Sequence, residues 1–181
     1  PGDVFEIRAL AATTPGYRRE HIESGYFDYE HIDDVPKALE NISARGIYFT
    51  PNPVNPVLLA RSANRMKTAG KDETTSDKDI ICRRWLLIDC DSVRPSGISA
   101  TDEEHDAALY KAIEIKDGLK SMGWPSPLFM DSGNGAQLMY RIDLPSDDNG
   151  LVQACLNAIS AAGDDKVKID LTVHNPARIW R

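Results

Sequence analysis

Cysteine is sparse: Cys82, Cys90 and Cys155 are the only three in 181 residues. Their odd number, scatter and apolar neighbours support neither a disulfide framework nor a zinc site, and fit reduced core residues of a cytoplasmic protein. The four histidines, His21, His31, His105 and His174, are equally dispersed, none at metal-ligand spacing from another His or Cys. No run approaches the ~18–20 apolar residues of a membrane span, so no membrane partner is expected. The start, Pro1-Gly2-Asp3-Val4, lacks both a basic and an apolar segment, so no secretion signal is expected. An excess of basic charge is missing too, because 21 Lys+Arg against 28 Asp+Glu leave a net charge of −7. That counts against coating nucleic acid through bulk electrostatics; it leaves room for a local basic channel, or for a site where metal ions supply the positive charge. With 41% hydrophobic residues the chain suffices for one substantial core and a small appended lobe. Its last residues, Arg178-Ile179-Trp180-Arg181, stop in an apolar stretch without a polar tail, which reads as a fragment of a longer polypeptide.

What is present divides into two parts. Over residues 1–82 the pattern is an α/β lobe. Val4 to Leu10 alternates as a half-buried strand does, and a second extended stretch covers 21–30. Asp33-Asp34 before Pro36 predicts a helix running to about Arg45, stopped by Gly46. Gly46 to Thr50 reads as a strand broken by Pro51, Pro53 and Pro56. Residues 66–79 are polar and aperiodic, which predicts a mobile loop. From 83 to 181 the pattern sharpens. Trp85 to Asp91 is a strand, and Thr101 with Glu104 forms a capping box that opens a helix to about Ser121. Ala108, Leu109, Ala112, Ile113 and Leu119 make its expected apolar face, and Gly123 ends it. Pro127 to Asp131 and Ala136 to Leu144 are strands joined by the tight turn Ser132-Gly133-Asn134-Gly135. A helix from Asp147 or Asp148 to about Gly163 and a strand from Val167 to Leu171 complete the series. The fold class is therefore α+β: a βαββαβ antiparallel sheet (RRM-like, palm-like) with an N-terminal α/β extension. Right-handed crossovers give the core a strand order of 4-1-3-2, with the helices on one face.

That topology brings three acids together. Side chains alternate along a strand, so Leu86, Ile88 and Cys90 face the helices while Asp89 and Asp91 share the open face. In the last strand Val167, Ile169 and Leu171 take the helix side, and Asp170 points to the open face beside the first strand. Directly opposed residues on neighbouring strands lie roughly 4.5–5.5 Å apart at Cβ. Carboxylates that close repel unless cations intervene. Mg2+ or Mn2+ prefers such oxygen ligands, and two ions ~3.5–4 Å apart suit in-line displacement at phosphorus. An Asp-x-Asp alone often merely ends a strand; the third acid is what favours a metal site.

The Ser132-Gly133-Asn134-Gly135 turn has the glycines and backbone N–H groups of a phosphate cradle, although Asn-Gly is also the commonest hairpin turn. Beyond it Gln137, Met139 and Arg141 share the open face. Arg61, Arg65, Lys67 and Lys71 lie in a stretch, 61–71, without an acid. Arg83 and Arg84 precede the acidic strand, and Arg178 and Arg181 follow the last one. Such cations suit triphosphate or template backbone.

The strand Leu87-Ile88-Asp89-Cys90-Asp91, the hairpin Ser132-Gly133-Asn134-Gly135 and Lys168-Ile169-Asp170 resemble the three motifs of the archaeo-eukaryotic primase superfamily. Their order and spacing resemble its primase-polymerase branch, found in phages, plasmids and integrated mobile elements. Ile47-Tyr48-Phe49-Thr50-Pro51-Asn52-Pro53 and Asn175-Pro176-Ala177-Arg178-Ile179-Trp180-Arg181 also look like that branch, so the resemblance spans roughly residues 46–181. It implies template-directed nucleotidyl transfer, with Asp89, Asp91 and Asp170 holding two Mg2+ or Mn2+ ions. It implies contact of Ser132, Gly133 and residue 137 with the incoming nucleoside triphosphate, joined by Asn134, Gly135 and Arg178. Asn52, Arg61, Arg65, Lys67 and Arg84 then fall to the single-stranded DNA template or primer. Members of this branch often carry a helicase domain downstream. The branch usually has histidine where this chain has Gln137, whose amide donates a hydrogen bond but carries no charge or transferable proton. A member that binds nucleotide or single-stranded DNA without efficient catalysis is therefore one alternative. Another two-metal palm enzyme, a nucleotide cyclase or a nuclease, is a second. A plain RNA-binding module is a third, disfavoured because only Trp85 and Phe129 are expected to offer stacking on an acidic face.

Overall fold

The structure, a computed structural model, describes residues 3–16, 18–95 and 97–181, with Lys71 described by its backbone alone. It divides into two units, one reaching to Arg83 and including Pro176–Arg181, the other Arg84–Asn175. No helix among the described residues is long and apolar enough to cross a membrane. Both units are α+β and each has its own antiparallel sheet.

The first unit has strands β1 (Val4–Ala12), β2 (His21–Asp28), β3 (Gly46–Phe49) and β4 (Lys67–Ala69) in the order β3-β1-β2-β4. Val4, Tyr26, Val54, Leu58 and Ile80 form its apolar cluster, with Ala177 packed at the margin. The strand expected at Val4–Leu10 is present, but it is not half-buried: Val4 and Glu6 are buried on one face and Ile7 and Ala9 on the other, so an acid lies inside. Glu6 is fully buried and its carboxylate accepts from Arg8 Nε at 2.9 Å, Ser24 Oγ at 2.6 Å and Thr75 N at 3.1 Å. Thus one charge ties β1 to β2 and to residue 75. Burial pushes its pKa up, but the Arg8 guanidinium and the hydroxyl and amide donors outweigh burial and hold it below 4.5.

The closing segment returns to this unit, which shifts the expected boundary. Phe49 N donates to Trp180 O at 2.9 Å and Trp180 N to Phe49 O at 2.8 Å. Trp180 is buried, and Ala177 N donates to Asp77 Oδ1 at 2.9 Å. Residues 176–181 therefore do not belong with the core expected over 83–181: two backbone bonds and a large apolar side chain hold them elsewhere.

Two expectations for the lobe need correction. The helix expected to reach Arg45 is α1 (Val35–Leu39), preceded by a 3-10 turn over Tyr29–Asp34. None of its residues is buried, so no apolar stripe extends it, and Thr13 N draws Ser43 away by bonding its carbonyl at 2.7 Å. Residues 66–79 are not a featureless loop. They hold β4, paired with β2 through Ser24↔Lys67 to Ile22↔Ala69, and 3-10 turns at Lys71–Glu73 and Asp77–Asp79. An edge strand of three residues is too short to leave a periodicity.

The second unit has β5 (Cys82–Ser92, entering from the first unit), β6 (Leu128–Asp131), β7 (Gly135–Pro145) and β8 (Val167–Ile169) in the order β6-β7-β5-β8, with α2 (Asp102–Ser121) and α3 (Leu151–Ser160). Counted within the unit, the strand order is 4-1-3-2. Thr101 caps α2 by accepting from Glu104 N at 3.2 Å, while Glu104 Oε2 takes Thr101 N at 2.9 Å. The buried stripe is Ala108, Ala112, Ile115 and Leu119; Ile113, expected inside, is 39% exposed because the stripe follows the 3.6-residue period through position 115. Asp148 starts α3, its two oxygens accepting from Gly150 N and Val152 N, each at 3.0 Å. Strand β8 stops at Ile169, since the Asp170 carboxylate turns the chain into a 3-10 segment over Leu171–His174. Leu171, expected on the helix side, is consequently exposed.

Breaking a buried pair by removing one partner costs about 3–5 kcal/mol. Glu6→Ala should lower the denaturation free energy by that order in a urea titration. The wild-type contribution of Glu6 is complete above its ordinary value of 4.5 and disappears as pH falls through the lowered value in the fold. Urea midpoints should therefore decline in acid for the wild type, and this component of the decline should be missing from Glu6→Gln.

Candidate functional site

The three aspartates are set by the β5–β8 ladder. Its register pairs Cys90 with Ile169, Asp91 with Lys168 and Ser92 with Val167. One step further Asp170 N donates to Asp89 O at 2.9 Å, so Asp170 stands opposite Asp89. Ile88 and Cys90 are buried, as are Val167 and Ile169. Asp89, Asp91, Lys168 and Asp170 therefore share the other face. Their side chains are not gathered into a cage. Asp170 Oδ1 accepts from Thr172 N at 2.8 Å and Oδ2 from Thr172 Oγ1 at 2.9 Å. Among the described residues no three His, Cys, Asp or Glu side chains form a metal-holding group. Cys90, between the two acids in sequence, is excluded as a nucleophile: burial, then Asp89 and Asp91, push its thiol up to about 12.

The hairpin turn is bound to the acidic strand by a close approach. A Cβ on Gly135 would collide with the Cys90 carbonyl oxygen and lie 3.4 Å from Asp91 Cα. Only glycine lets β7 begin there. Gly133 has φ +77°, the left-handed value a turn needs, with open space around it. The turn is less open as a phosphate cradle than its sequence suggests. Ser132 N donates to Gly135 O at 3.0 Å, Gly133 N to Asp131 Oδ1 at 2.7 Å, and Asn134 Oδ1 accepts from Ala100 N at 2.9 Å. Two of the N–H groups counted on for an anion thus serve the turn itself. Asp131, unsuspected from sequence, organises it: the same oxygen receives His105 Nε2 at 2.8 Å from α2. The Gly133 amide, then His105, hold the Asp131 carboxyl below its ordinary value. Gln137 follows in β7 opposite Met130 and is only 8% exposed, so its amide is not displayed to solvent.

The open face offers less stacking than expected. Phe129 pairs with Leu138, the face of Tyr140, whose ring meets Trp124 edge-on at 5.4 Å. It is thus on the helix side. Trp85 remains on the acidic face, and the Arg141 guanidinium lies 5.8 Å from its ring centre. Arg141 is held there by the carbonyls of Arg84 and Ile142 at 3.0 and 3.1 Å.

The cations and amides assigned to phosphate or strand fall in different places. Arg84 belongs to the second unit; Arg178, Asn52, Arg61, Arg65 and Lys67 belong to the first. Asn52 is buried and spends its amide on Pro176 O at 2.9 Å, a structural role that removes it from the strand-contacting set. Arg83 is buried as well, whereas Arg61, Arg65 and Lys67 are exposed. Lys71, counted with them, has its side chain outside the described atoms. The residue that sequence reasoning passed over is Lys168. Its place between buried Val167 and Ile169 already puts it on the acidic face, opposite Asp91. Together with Arg94, Ser92 and Asp91 it lines a polar recess of about 220 Å³.

No protein-family profile matches the chain, and no curated protein or solved structure matches it significantly.

The turn gives a paired expectation. Gly135→Ala overpacks against β5 and should cost about 1–3 kcal/mol. Gly133→Ala meets no atom but keeps a left-handed φ, costing roughly 1–2 kcal/mol. Asparagine should recover stability at 133 and not at 135, as read by thermal denaturation.

Proposed function

We propose that this chain is the catalytic portion of a primase-polymerase, joining nucleotides from nucleoside triphosphates on a single-stranded DNA template with two Mg2+ or Mn2+ ions. The observation that carries the reading is the bond from Asp170 N to Asp89 O, which stands the third acid beside the Asp-x-Asp pair. The 4-1-3-2 order with both helices in the same unit agrees with a palm-like core, and the approach of Gly135 to Cys90 brings the hairpin alongside the acids.

The donor set fits hard divalent cations. It consists of carboxylate oxygens, with the thiol of Cys90 buried on the opposite face. The two Asp170 oxygens accept from Thr172 N and Thr172 Oγ1, which orients the carboxylate. Three carboxylates on one face repel, and cations relieve that repulsion. Asp89, Asp91 and Asp170 are the residues that would hold the ions. Divalent ions held there would supply a lowered pKa for a 3′-hydroxyl and positive charge for the triphosphate and departing pyrophosphate. Thr172 orients Asp170, while Asp131 and His105 tie the turn to α2. Lys168, opposite Asp91, supplies a fixed positive charge to the same face.

One set of observations favours a second reading, a member that binds nucleotide or DNA but extends chains weakly or not at all. Gln137 replaces the branch's usual histidine and is buried, and Ser132 N and Gly133 N are engaged inside the turn. Extension of a primed single-stranded DNA template with Mg2+ and with Mn2+ separates the two. For the first reading the wild type incorporates nucleotide only with divalent metal, and Asp89→Asn with Asp91→Asn removes incorporation by at least 100-fold, on the order of one lost transition-state stabiliser. Circular dichroism should show the variant folded. Metal-dependent triphosphate binding without incorporation, regained on Gln137→His, selects the second reading. Cyclic product without template, or shortened strands, would point to a cyclase or a nuclease instead.

A further inference from the structure

The first unit contains a polar pocket of about 160 Å³ lined by Ser24, Tyr26, Arg61, Ser62, Lys67 and Thr68, with Ala69 and Glu73 completing it. From its geometry we infer that it seats one phosphodiester group of a single-stranded nucleic acid, resting on the reading of this chain as a template-using enzyme. The cavity volume decides the size of the guest. At ~30 Å³ per water it holds about five waters, below the ~300 Å³ of sites that enclose whole small molecules. One phosphate with some hydration fits; a nucleotide does not. The lining decides its chemistry. Arg61 and Lys67 form no ion pair within 4 Å among the described residues, although the charge of Arg61 reaches the Asp79 carboxyl and helps to lower its pKa. Arg61 is aimed rather than loose, because its Nη1 donates to Glu73 O at 3.0 Å and to Tyr26 Oη at 3.3 Å. Lys67 is fixed by the β2–β4 register opposite Ser24. The lone carboxylate, Glu73, already accepts from Gly70 N at 2.8 Å. The Ser24 and Ser62 hydroxyls donate to Glu6 Oε1 at 2.6 Å and Arg65 O at 2.7 Å, so the donors for an anion are the two cations, and the Tyr26 ring is buried, leaving no aromatic face among the lining residues on which a base could stack. The pocket therefore reads backbone, not base. Its wall is built in: Gly25 has no room for a Cβ, which would lie 2.5 Å from Arg65 O and 2.9 Å from Met66 Sδ.

A phosphate reaches such a pocket either within a strand or on a free nucleotide, and the test separates the two. Binding of labelled oligothymidylate and of thymidine triphosphate is measured in chelator, so that the aspartate site and any catalysis are silent. Lys67→Ala, exposed at a sheet edge, should weaken oligothymidylate binding about tenfold, as should Arg61→Ala. The slope of log affinity against log salt should fall by roughly 0.7 for one lost contact to a single strand. Lys37→Ala on the exposed α1 should leave both unchanged. This result stands whether or not the strand is ever extended, so it is independent of the polymerase assay. Unaltered affinity and slope in Lys67→Ala, or loss confined to thymidine triphosphate, overturns the inference.

Discussion

The pairing of β8 with β5 is the constraint on which the candidate site rests. It runs for only three residue pairs and one further backbone bond, from Asp170 N to Asp89 O. Because side chains alternate, that register puts Val167 and Ile169 into the apolar side and leaves Lys168 and Asp170 facing outward with Asp89 and Asp91. A slip by one residue would bury Lys168 and Asp170 and expose two aliphatic side chains. The burial of Val167 and Ile169 thus holds the acids in place. The Asp164 carboxylate supports the same strand, accepting from Lys166 N and Val167 N at 2.9 Å, while Lys111 from α2 reaches it at 3.0 Å. Those contacts, Lys111 foremost, hold its pKa at about 2.

The second constraint is steric. Gly135 brings the start of β7 onto the Cys90 carbonyl, and a turn with one left-handed glycine follows from it. Asp131 and His105 then use the hydrogen-bonding capacity that a phosphate cradle would otherwise offer. The same side chains that make the turn rigid make it less available to an anion. Among the cations, Lys168 stands opposite Asp91, and Arg61 and Lys67 of the first unit line the polar pocket.

In the first unit a buried charge has the organising role that apolar burial has in the second. Glu6 joins Arg8, Ser24 and Thr75, which lie on β1, on β2 and beyond β4. Its alternating strand pattern announced a sheet but not a buried acid, since Glu at an interior position looks like an error until its three partners are in place. Asn52 is the converse case. It reads as a surface polar residue within a motif, and folding buries it against Pro176.

Local patterns in the chain sufficed for the βαββαβ order, the Thr101–Glu104 cap, the Gly133 turn and the placement of Asp89, Asp91 and Asp170 on one face, because alternation, capping and turn chemistry are short-range. Tertiary structure alone decided the rest. The return of Trp180 to Phe49, the three-residue β4, the burial of Gln137 and the occupation of the turn by Asp131 all depend on partners distant in sequence or on elements too short to carry a period. A residue's neighbours along the chain determine which way it faces; what it meets there is set by contacts that no local pattern encodes.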